Sequence, residues 1–410
     1  NDLQVMEIRL FAFVTCALLS LGYSFEALGG NLKRLVSQQR RCGVLNMAAD
    51  ASGASKKKLL ILQNKGGGHG SVGYNLCLQK KVAEGMEVVI LQDKCNYKKI
   101  PFSFYKADLE EKVGAKVINV DLTATGVDYN ELLNGFKPDV VLDNWSKSVA
   151  NASIGISIAQ AAQSEQLLFV SSAGMYKSSN LTPLLEGDAV KTNDPRAVEL
   201  AIVQSGLPYT FLRPQYIYGP KSNKRYLDYF LGRAHRKLHI PLPTHAEQLV
   251  CLTHEEDVAS LMAAALANPK AINQVFNCGT DRFVSYKGIC EMVHAAMNSD
   301  KEKDVKYMYF DPTQYSNVAF PFRKETFITS PGKAKLTLDW APTHKFDQDI
   351  VEEVKAYVSG DLANEKWGTE QLKADLEIIA SKDPDFMFTY PFFDDVRINP
   401  ETRPYPFESV

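Results

Sequence analysis

A glycine-rich turn follows the first strand-like run of the chain. Gly67, Gly70 and Gly73 are three residues apart, between an apolar run at residues 59–62 and a helical pattern that extends to Glu84. Such a turn uses glycines because it needs positive φ angles, a close backbone approach and tight packing of helix on strand. The amides at the start of the helix can then face an anion. The pattern predicts a cradle for a pyrophosphate group.

An acidic residue stands where such a cradle would meet a ribose. Asp93 ends the second apolar run, about twenty residues after Gly73. Its carboxylate could accept a hydrogen bond from a ribose hydroxyl group. The alternative is that Asp93 only begins a loop and that the glycines serve the fold without a ligand. The candidate NAD(P)-binding residues are Gly67, Gly70, Gly73 and Asp93.

A basic segment with interleaved aromatic residues lies at residues 221–237, with six Lys or Arg residues and one acid, Asp228. Cations can neutralise phosphates, and aromatic faces can stack on unpaired bases, so the mixture suits an RNA hairpin. A solvated amphipathic helix is the alternative, with its apolar face inward and its cations outside. The candidate RNA-binding residues are Lys221, Lys224, Arg225, Tyr226, Arg233, Arg236 and Lys237.

Side chains for phosphate chemistry are fewer. A divalent metal such as Mg²⁺ would need carboxylates near the carboxyl edge of the sheet, where open α/β folds bind ligands. His69 could act on a phosphate, but no base is correctly spaced to activate it or the hydroxyl groups of Ser172 and Tyr176. The catalytic and metal-binding residues therefore stay unassigned. The candidate carboxylates, each more often a structural hydrogen-bond partner, are Asp143, Glu186 and Asp188.

Short apolar runs alternate with helix-length stretches up to residue 220, which predicts βαβ units and a parallel sheet. After Gly219 the spacing is less regular, with a strand near residues 249–252 and helices from Glu255 and Ser285. We expect an α/β fold, a Rossmann-type doubly wound parallel sheet with a smaller α/β C-terminal lobe. The predicted strands are residues 59–62, 88–91, 116–120, 140–142, 167–170 and 209–212.

Residues 1–46 have the composition of a targeting presequence. Leu10 to Leu21 is an apolar run behind Arg9, the size of a signal-peptide core and too short to span a bilayer. The stretch that follows is basic and rich in Ser and Gln, as in transit peptides. A short buried helix is the alternative for the apolar run. This bipartite order resembles that of algae with secondary plastids, so we expect translation from Met6 and a location in the plastid stroma.

Three further segments complete the predicted organisation. Residues 57–220 are expected to form the Rossmann-like NAD(P)-binding core and residues 221–382 the C-terminal lobe. Residues 383–410 form an aromatic tail with five prolines, which cannot be a regular element. The tail either docks on the body or binds a partner.

Charge and cysteine content exclude some classes of function. Outside residues 1–46 there are 41 Lys and Arg residues against 45 Asp and Glu residues, a net charge of about −4, which excludes a basic field over the whole surface. This portion has no run long enough to span a membrane, so no membrane partner is expected. It has no C-x-x-C pair, which favours reduced, buried thiols. The cysteines are Cys77, Cys95, Cys251, Cys278 and Cys290.

Four motifs occur in an order that one known family shares. Residues 170–176 and 212–220 follow predicted strands, residues 254–259 begin a helix, and residues 275–280 form a short strand. From about residue 57 to 340, the chain resembles the extended short-chain dehydrogenase/reductase family, the NAD-dependent epimerase/dehydratase superfamily. The resemblance implies the fold and an NAD(P) cofactor.

The proton-transferring pair of that family is missing. Its members use Tyr-x-x-x-Lys, in which the lysine lowers the pKa of the tyrosine. Here Tyr176 is the only tyrosine between Ser172 and Tyr209, and Asn180 stands four residues after it. The helix expected at residues 194–201 contains neither member of the pair. The departure predicts that dehydrogenase catalysis has been lost.

Segments 168–177, 186–191 and 213–216 resemble the plastid stem-loop RNA-binding endoribonuclease family, an atypical branch of the same superfamily. The resemblance implies a stem-loop RNA partner, Mg²⁺-assisted cleavage, and association with ribosomes or the plastid transcription machinery. It also leaves room for a homo- or hetero-oligomer. A plastid RNA-binding protein is therefore the first hypothesis. The alternatives are an NAD(P)-dependent epimerase-like enzyme and a non-catalytic nucleotide-sensing scaffold.

Overall fold

The computed structural model describes residues 55–63, 72–93, 103–220, 222, 224–243, 246–297, 307–315, 318–367 and 369–382. The predictions for the presequence, Gly67, His69, Gly70, Cys95, Lys221 and the tail lie outside the described residues. From Lys56 onward the described residues belong to one compact unit. None of their helices is both long and apolar enough to cross a membrane.

The secondary structure alternates between strands and helices, as predicted. The strands are β1 (Lys57–Gln63), β2 (Met86–Asp93), β3 (Lys116–Val120), β4 (Val140–Asn144), β5 (Gln166–Val170), β6 (Tyr209–Pro214), β7 (Ile217–Tyr218), β8 (Ile240–Pro243), β9 (Leu249–Val250), β10 (Thr253–His254), β11 (Gln274–Cys278), β12 (Val284–Ser285) and β13 (Tyr307–Phe310). The helices are α1 (Val72–Leu78), α2 (Lys80–Gly85), α3 (Ser103–Val113), α4 (Tyr129–Leu133), α5 (Val149–Ala162), α6 (Asp194–Gln204), α7 (Asp228–His235), α8 (Glu255–Ala265), α9 (Tyr286–Met297), α10 (Gly332–Leu338), α11 (Phe346–Val358), α12 (Asp361–Asn364) and α13 (Thr369–Lys382).

A seven-stranded sheet forms the centre of the molecule. Its order is β11-β6-β5-β4-β1-β2-β3, and all neighbouring pairs are parallel. The strand order reverses between β1 and β4, which makes the sheet doubly wound and places a crevice at the carboxyl ends of these strands. The predicted Rossmann-type parallel sheet is confirmed, together with its six predicted strands.

Helices cover both faces of this sheet, which explains why its central strands are apolar without alternation. In β1, the four side chains from Leu59 to Leu62 are fully buried. Helices α1 and α8 pack on one face, and α5 and α6 pack on the other. Helix α6 begins at a cap in which the Asn193 side chain accepts a hydrogen bond from the Arg196 amide. The cap fixes the start of the helix that reaches the carboxyl ends of β5 and β6.

The smaller lobe follows Gly219 and also contributes a strand to the sheet. Three short ladders pair β7 with β10, β8 with β13, and β9 with β12. The lobe core is built largely from aromatic rings, among them Phe230, Tyr286, Phe320 and Phe322. Strand β11 then returns to pair with β6. The lobe therefore meets the sheet at the carboxyl ends of β5 and β6.

The C-terminal helix α13 is fastened to α7 of the lobe. The Arg233 guanidinium donates two hydrogen bonds to Asp375, with N–O distances of 2.7 and 3.0 Å, and both side chains are buried. Leu238 and Leu372 pack beside this pair. A bidentate ion pair and an apolar contact together hold the helix on the lobe.

Four cysteines lie among the described residues, and all four are free and buried. The prediction of reduced, buried thiols is confirmed for these positions, which are Cys77, Cys251, Cys278 and Cys290.

Candidate functional site

The start of α1 has the close packing expected of a dinucleotide-binding turn. A Cβ atom at Gly73 would lie 2.0 Å from Oε1 of Gln63, the last residue of β1. The same Gln63 oxygen accepts a hydrogen bond from Asn144 Nδ2 at 3.0 Å. Any larger residue would require the buried end of the Gln63 side chain to move, so glycine suits this close approach of helix to strand. Gly73 meets the packing requirement of the motif, whose other two glycines lie outside the described residues.

Asp93 ends β2, where a ribose-binding carboxylate would be expected. It is buried, and its Oδ2 atom accepts a hydrogen bond from Trp145 Nε1 at 2.9 Å. The amide of Leu122 donates to Oδ1 at 3.4 Å. Asp93 has almost no exposed surface, so a ribose hydroxyl group could reach its carboxylate only if the surrounding side chains moved. Binding of NAD(P) beside Gly73 stays a prediction.

Tyr176 is locked into the protein interior. Its hydroxyl donates to Asn277 Oδ1 at 2.7 Å and accepts from Arg213 Nη1 at 3.0 Å, and the residue has no exposed surface. Burial raises the pKa of Tyr176 to about 12, although the Arg213 guanidinium opposes the shift. A hydroxyl that is satisfied on both sides, with so high a pKa, is poorly suited to exchange protons with a substrate at neutral pH.

A buried ion pair connects Tyr176 to helix α6. The guanidinium of Arg213 donates through Nε and Nη2 to the two carboxylate oxygens of Glu199, at 2.9 and 2.7 Å. Ser171, directly after β5, donates to the same carboxylate at 2.8 Å. Glu199 lies on the helix where the catalytic pair of the family would be expected. A static network of charge and hydrogen bonds therefore occupies the place of a proton relay.

Next to this network, a cleft of about 170 Å³ opens at the carboxyl ends of β5 and β6. It lies between the segment that follows β5, the turn that follows β6, and residues 323–327. Two of its lining residues are cations and none is an acid. Its lining includes Ser172, Lys191, Tyr216, Tyr226, Arg323 and Phe327.

Arg323 is a fixed cation in this cleft. Its Nη2 atom donates to the carbonyl oxygens of Gly174 and Tyr176, at 2.8 and 2.9 Å. Its guanidinium lies 3.7 Å from the centre of the Phe327 ring, and its amide donates to the Tyr216 hydroxyl. These contacts hold the charge in place, and Glu325 lies 3.9 Å away in a loose ion pair that balances it only partly. A positive charge held in this way favours an anionic ligand.

Aromatic rings line the cleft beside Arg323. Tyr216 and Tyr226 meet edge to face, with ring centroids 5.1 Å apart, and Tyr226 stacks on Phe322. Tyr216 has a φ of 36°, an uncommon conformation for a tyrosine and one that tends to persist where surrounding contacts enforce it. Lys224 lies 4.6 Å from the centre of the Tyr226 ring and is exposed. The cleft thus combines cations with aromatic surface.

The basic segment only partly turns toward solvent. Lys224 and Lys237 are exposed, and Arg225 is half-buried in an ion pair with Asp228. The prediction that this helix leaves its cations outside is wrong for Arg233, which is buried against Asp375 because α13 covers it. Arg236 is half-buried, lies 4.4 Å from the centre of the Trp367 ring, and donates to the Leu362 carbonyl. The segment is therefore largely a docking surface for the C-terminal helices.

The predicted carboxylates each bind backbone amides. Asp143 accepts from the amides of Trp145 and Ser146 at 3.0 and 2.8 Å. Glu186 accepts from the Asn277 amide, and Asp188 from the Leu185 amide. No group of three potential ligands that includes them occurs in the part of the chain that the structure describes. As placed, these residues do not fit a metal site.

The described residues contain one other group of potential metal ligands, namely His254, Glu256 and His344, with atoms within 4.8 Å of one another. The two imidazole rings are stacked, with centroids 3.6 Å apart and 13° between their planes. A metal ion lies in the plane of each imidazole that binds it, so stacked parallel rings cannot both bind one ion. His254 Nδ1 also accepts a hydrogen bond from the Glu256 amide. Burial and His344 together lower the pKa of His254 to about 4. The group is a packed histidine pair.

Sequence reasoning missed the cleft. Lys191 and Tyr216 lie in segments that indicated only a family resemblance. No motif in the sequence around Arg323 indicated a binding site. Arg323 meets Tyr216 across 107 positions of sequence, so only the folded chain brings the two together. Tyr226 was predicted as an RNA contact, and the structure places it in this cleft.

Comparisons with known proteins agree with this fold. A sequence profile of the NAD dependent epimerase/dehydratase family matches residues 66–279. The Arabidopsis thaliana protein named "Chloroplast stem-loop binding protein of 41 kDa b, chloroplastic" is 31% identical over 198 residues, which cover 46% of this chain and 50% of that protein. The chain therefore spans about half the length of this curated relative.

Solved structures resemble the whole described fold. UDP-glucose 4-epimerase from Thermotoga maritima, solved with UDP-glucose, has a TM-score of 0.56 and 18% identity, covering 73% of this chain and 98% of the other. UDP-glucuronic acid 4-epimerase from Bacillus cereus, solved with its substrate and NAD, has a TM-score of 0.55 at the same identity and coverage. At this identity the likeness shows the fold alone. Because the family profile covers just over half of the chain, the chain belongs to the NAD dependent epimerase/dehydratase family.

Proposed function

We propose that this protein binds stem-loop RNA in a plastid and no longer performs the oxidoreductase chemistry of its family. The observation that carries the proposal is the 31% identity to a plant protein named for chloroplast stem-loop binding. The identity extends over about half of each chain, so the activity of the whole relative is an inference for this one.

The buried network around Tyr176 supports the second half of the proposal. An epimerase needs a group that can take and return a proton beside the nicotinamide. Here the tyrosine hydroxyl is held by Arg213 and Asn277, and the Glu199 carboxylate is committed to Arg213. Releasing any of these groups would leave a buried charge or polar atom without its partner, which is costly. Among the described residues of this network, the alternative of an epimerase-like enzyme therefore has no proton carrier.

Binding to RNA can be tested with the purified protein and three labelled RNAs, namely a hairpin, a blunt duplex of the same stem, and a single strand. We expect the hairpin to bind most tightly. For each tenfold rise in salt concentration, the logarithm of its binding constant should fall by roughly 0.7–0.9 per phosphate contact. Preference for the hairpin at physiological salt would support the proposal. Equal, weak binding to all three RNAs, or none, would contradict it.

Cleavage is the finer part of the proposal. We propose endonucleolytic cutting that depends on a divalent ion, and this part has only the resemblance between segments of the chain and the plastid family as support. The predicted carboxylates do not form a metal site as placed, so no catalytic step is assigned to them. The same hairpin incubated with Mg²⁺ and with EDTA tests this part. Binding without cutting in either condition would leave a binding protein that has no nuclease activity.

A second candidate function, nucleotide sensing, is supported by one specific feature. The close approach of α1 to β1 at Gly73, with Asp93 at the end of β2, is the arrangement that accommodates a dinucleotide. We propose that NAD(P) can bind without being turned over. Ligand at a hundred times its Kd should stabilise the fold by about 2.7 kcal/mol, which a thermal-shift titration would detect. An unchanged melting temperature at millimolar NAD⁺ and NADP⁺ would reject this candidate.

A further inference from the structure

We infer that the cleft beside β5 and β6 receives one unpaired nucleotide from the loop of a bound hairpin. The base would lie against Tyr226 and Tyr216, and its phosphate would face Lys191. This inference rests on the proposed function and narrows the main RNA contact from the whole basic segment to the cleft, which includes Tyr226 of that segment.

The size of the cleft favours a single nucleotide unit. About 170 Å³ is well below the roughly 300–1,000 Å³ of sites that enclose drug-sized ligands. A sugar nucleotide, as held by the solved epimerases named above, would exceed this space. One base or one phosphate-bearing fragment would not. The ligand must therefore be small, or be one unit of a larger molecule.

Charge and aromatic surface favour a nucleotide over other small groups. The lining carries the Lys191 ammonium and the Arg323 guanidinium without a carboxylate, so it suits an anion. Tyr216 and Tyr226 add aromatic surface, and stacking on such rings is tolerant of base identity. A phosphate joined to a planar base uses both features at once.

The surroundings of the cleft favour a nucleotide within a longer strand. Lys191 and Lys224 are exposed, so a chain that enters and leaves the cleft would meet further cations at its rim. Lys224 now lies over the Tyr226 ring, and an incoming base would displace it toward the flanking phosphates. A base-paired stem could not supply such a nucleotide, because its bases are already stacked and paired. The unpaired loop can.

The test uses the full chain and a hairpin that carries the fluorescent base 2-aminopurine at successive loop positions. For the wild-type protein we expect quenching at one loop position on binding. Lys191→Gln and Tyr226→Leu should each weaken hairpin binding by at least about fivefold and remove the quenching, as expected for loss of a phosphate contact or a stacked base. Both variants should bind the blunt duplex like the wild type.

Two control variants keep the test interpretable. Lys80→Gln removes one exposed lysine from α2, at the opposite edge of the sheet, and should bind the hairpin like the wild type. Tyr226→Phe keeps the ring and should also bind normally, whereas Tyr226→Leu also removes the ring contacts with Tyr216 and Phe322. Because Lys191 is exposed, Lys191→Gln tests the cleft without that loss.

The outcomes separate the inference from the proposed function. If the wild type prefers the hairpin but Lys191→Gln and Tyr226→Leu bind it equally well, the cleft is not the contact and only the inference fails. If the wild type binds no RNA, the proposed function fails first. Adenosine and uridine monophosphate should compete with the labelled hairpin less well than an unlabelled hairpin does. If either mononucleotide competes at a lower concentration than the unlabelled hairpin, the cleft is a site for free nucleotides and the inference is also overturned.

Discussion

Glu199 is the residue on which the buried network depends. It is fully buried, and it is the carboxylate that balances the Arg213 guanidinium in the interior. Arg196, which is one-third exposed, adds a third N–O contact at 3.0 Å. Isolated buried charges are expensive, so each member of this group stabilises the fold only while the others are present.

Replacement of Glu199 by Gln should reveal this dependence. The change keeps the size of the side chain but leaves the Arg213 charge uncompensated, so we expect a loss of about 3–5 kcal/mol in the free energy of unfolding. Urea denaturation measures it. Glu165→Gln, which breaks an exposed pair with Lys57, is the matched control and should cost no more than about 1 kcal/mol. Equal losses of unfolding free energy for the two changes would mean that the buried ion pair is no more important for stability than the exposed one.

At the residue scale, the sequence predicted which catalytic residues are missing better than it predicted which side chains are buried. The absence of a Tyr-x-x-x-Lys pair could be read directly from the chain, and the structure gives the physical reason why Tyr176 does not substitute for it. The burial of Arg233 could not be read, because its partner Asp375 is 142 residues away. Helical periodicity assigned the cations to solvent without knowledge of the helix that covers them.

At the element scale, the junction of β1 with α1 depends on one missing side chain. The strands and the glycine spacing were predictable because hydrophobic runs and turn chemistry are local properties of sequence. The contact of Gly73 with Gln63 was not, since it needs the distance between two packed elements. The distance between position 73 and the Gln63 side chain decides whether a Cβ atom is tolerated there in the absence of any ligand. Glycine at position 73 is therefore needed either for the fold itself or only for a ligand.

Gly73→Ala separates these two roles. The new methyl group would overlap Gln63, displace its hydrogen bond with Asn144, and cost about 1–3 kcal/mol in unfolding free energy without any nucleotide present. Gly85→Ala, at the end of α2, meets nothing within 4 Å and should be close to neutral. Thermal unfolding of both variants gives the comparison. A neutral Gly73→Ala would show that Gln63 moves aside freely.

Helix α11 carries a carboxyl group whose ionisation opposes folding. Burial raises the pKa of Glu353 to about 7, and nearby carboxylates reinforce the rise against the opposing charge of Arg225. In the unfolded chain the same group ionises near 4.5. The folded state therefore holds an extra proton between these values, and stability that is complete below pH 4.5 is lost as the pH rises to 7.

Glu353→Gln should remove this loss. Relative to the wild type, the variant should gain stability as the pH rises from 4.5 to 7, by at most about 3 kcal/mol, and the gain should stay constant above pH 7. Denaturation at several pH values measures the difference. Glu352→Gln on the same helix changes an exposed side chain and should show no such trend. A pH-independent difference for Glu353→Gln would refute the assignment.

At the scale of the whole molecule, the C-terminal helix is part of the folded body. The spacing of apolar runs predicted a sheet core followed by a smaller lobe, and the parallel sheet is as expected. However, β11 reaches back from the lobe to the sheet, and α13 closes over α7. Such returns depend on pairings between distant parts of the chain, which local patterns do not specify. The cleft is a product of the same long-range packing.

The Arg233–Asp375 pair tests how strongly this helix is held. Asp375→Asn should lower the unfolding free energy by about 3–5 kcal/mol, because the buried Arg233 charge loses its partner. The double change Arg233→Met with Asp375→Leu should recover most of that loss by replacing the pair with apolar contact. A double variant no more stable than Asp375→Asn would show that α13 needs the ion pair itself.

The buried thiols can report local opening in different parts of the molecule. Burial raises the pKa of Cys77 to about 12 and that of Cys251 to about 11, so neither is a reactive thiolate while its surroundings stay closed. Cys77 lies on α1 and packs toward the sheet, and Cys290 lies on α9 inside the lobe. An alkylating reagent can reach each sulfur only after its own neighbourhood opens. The order in which these cysteines become labelled would therefore report whether the lobe loosens before the sheet.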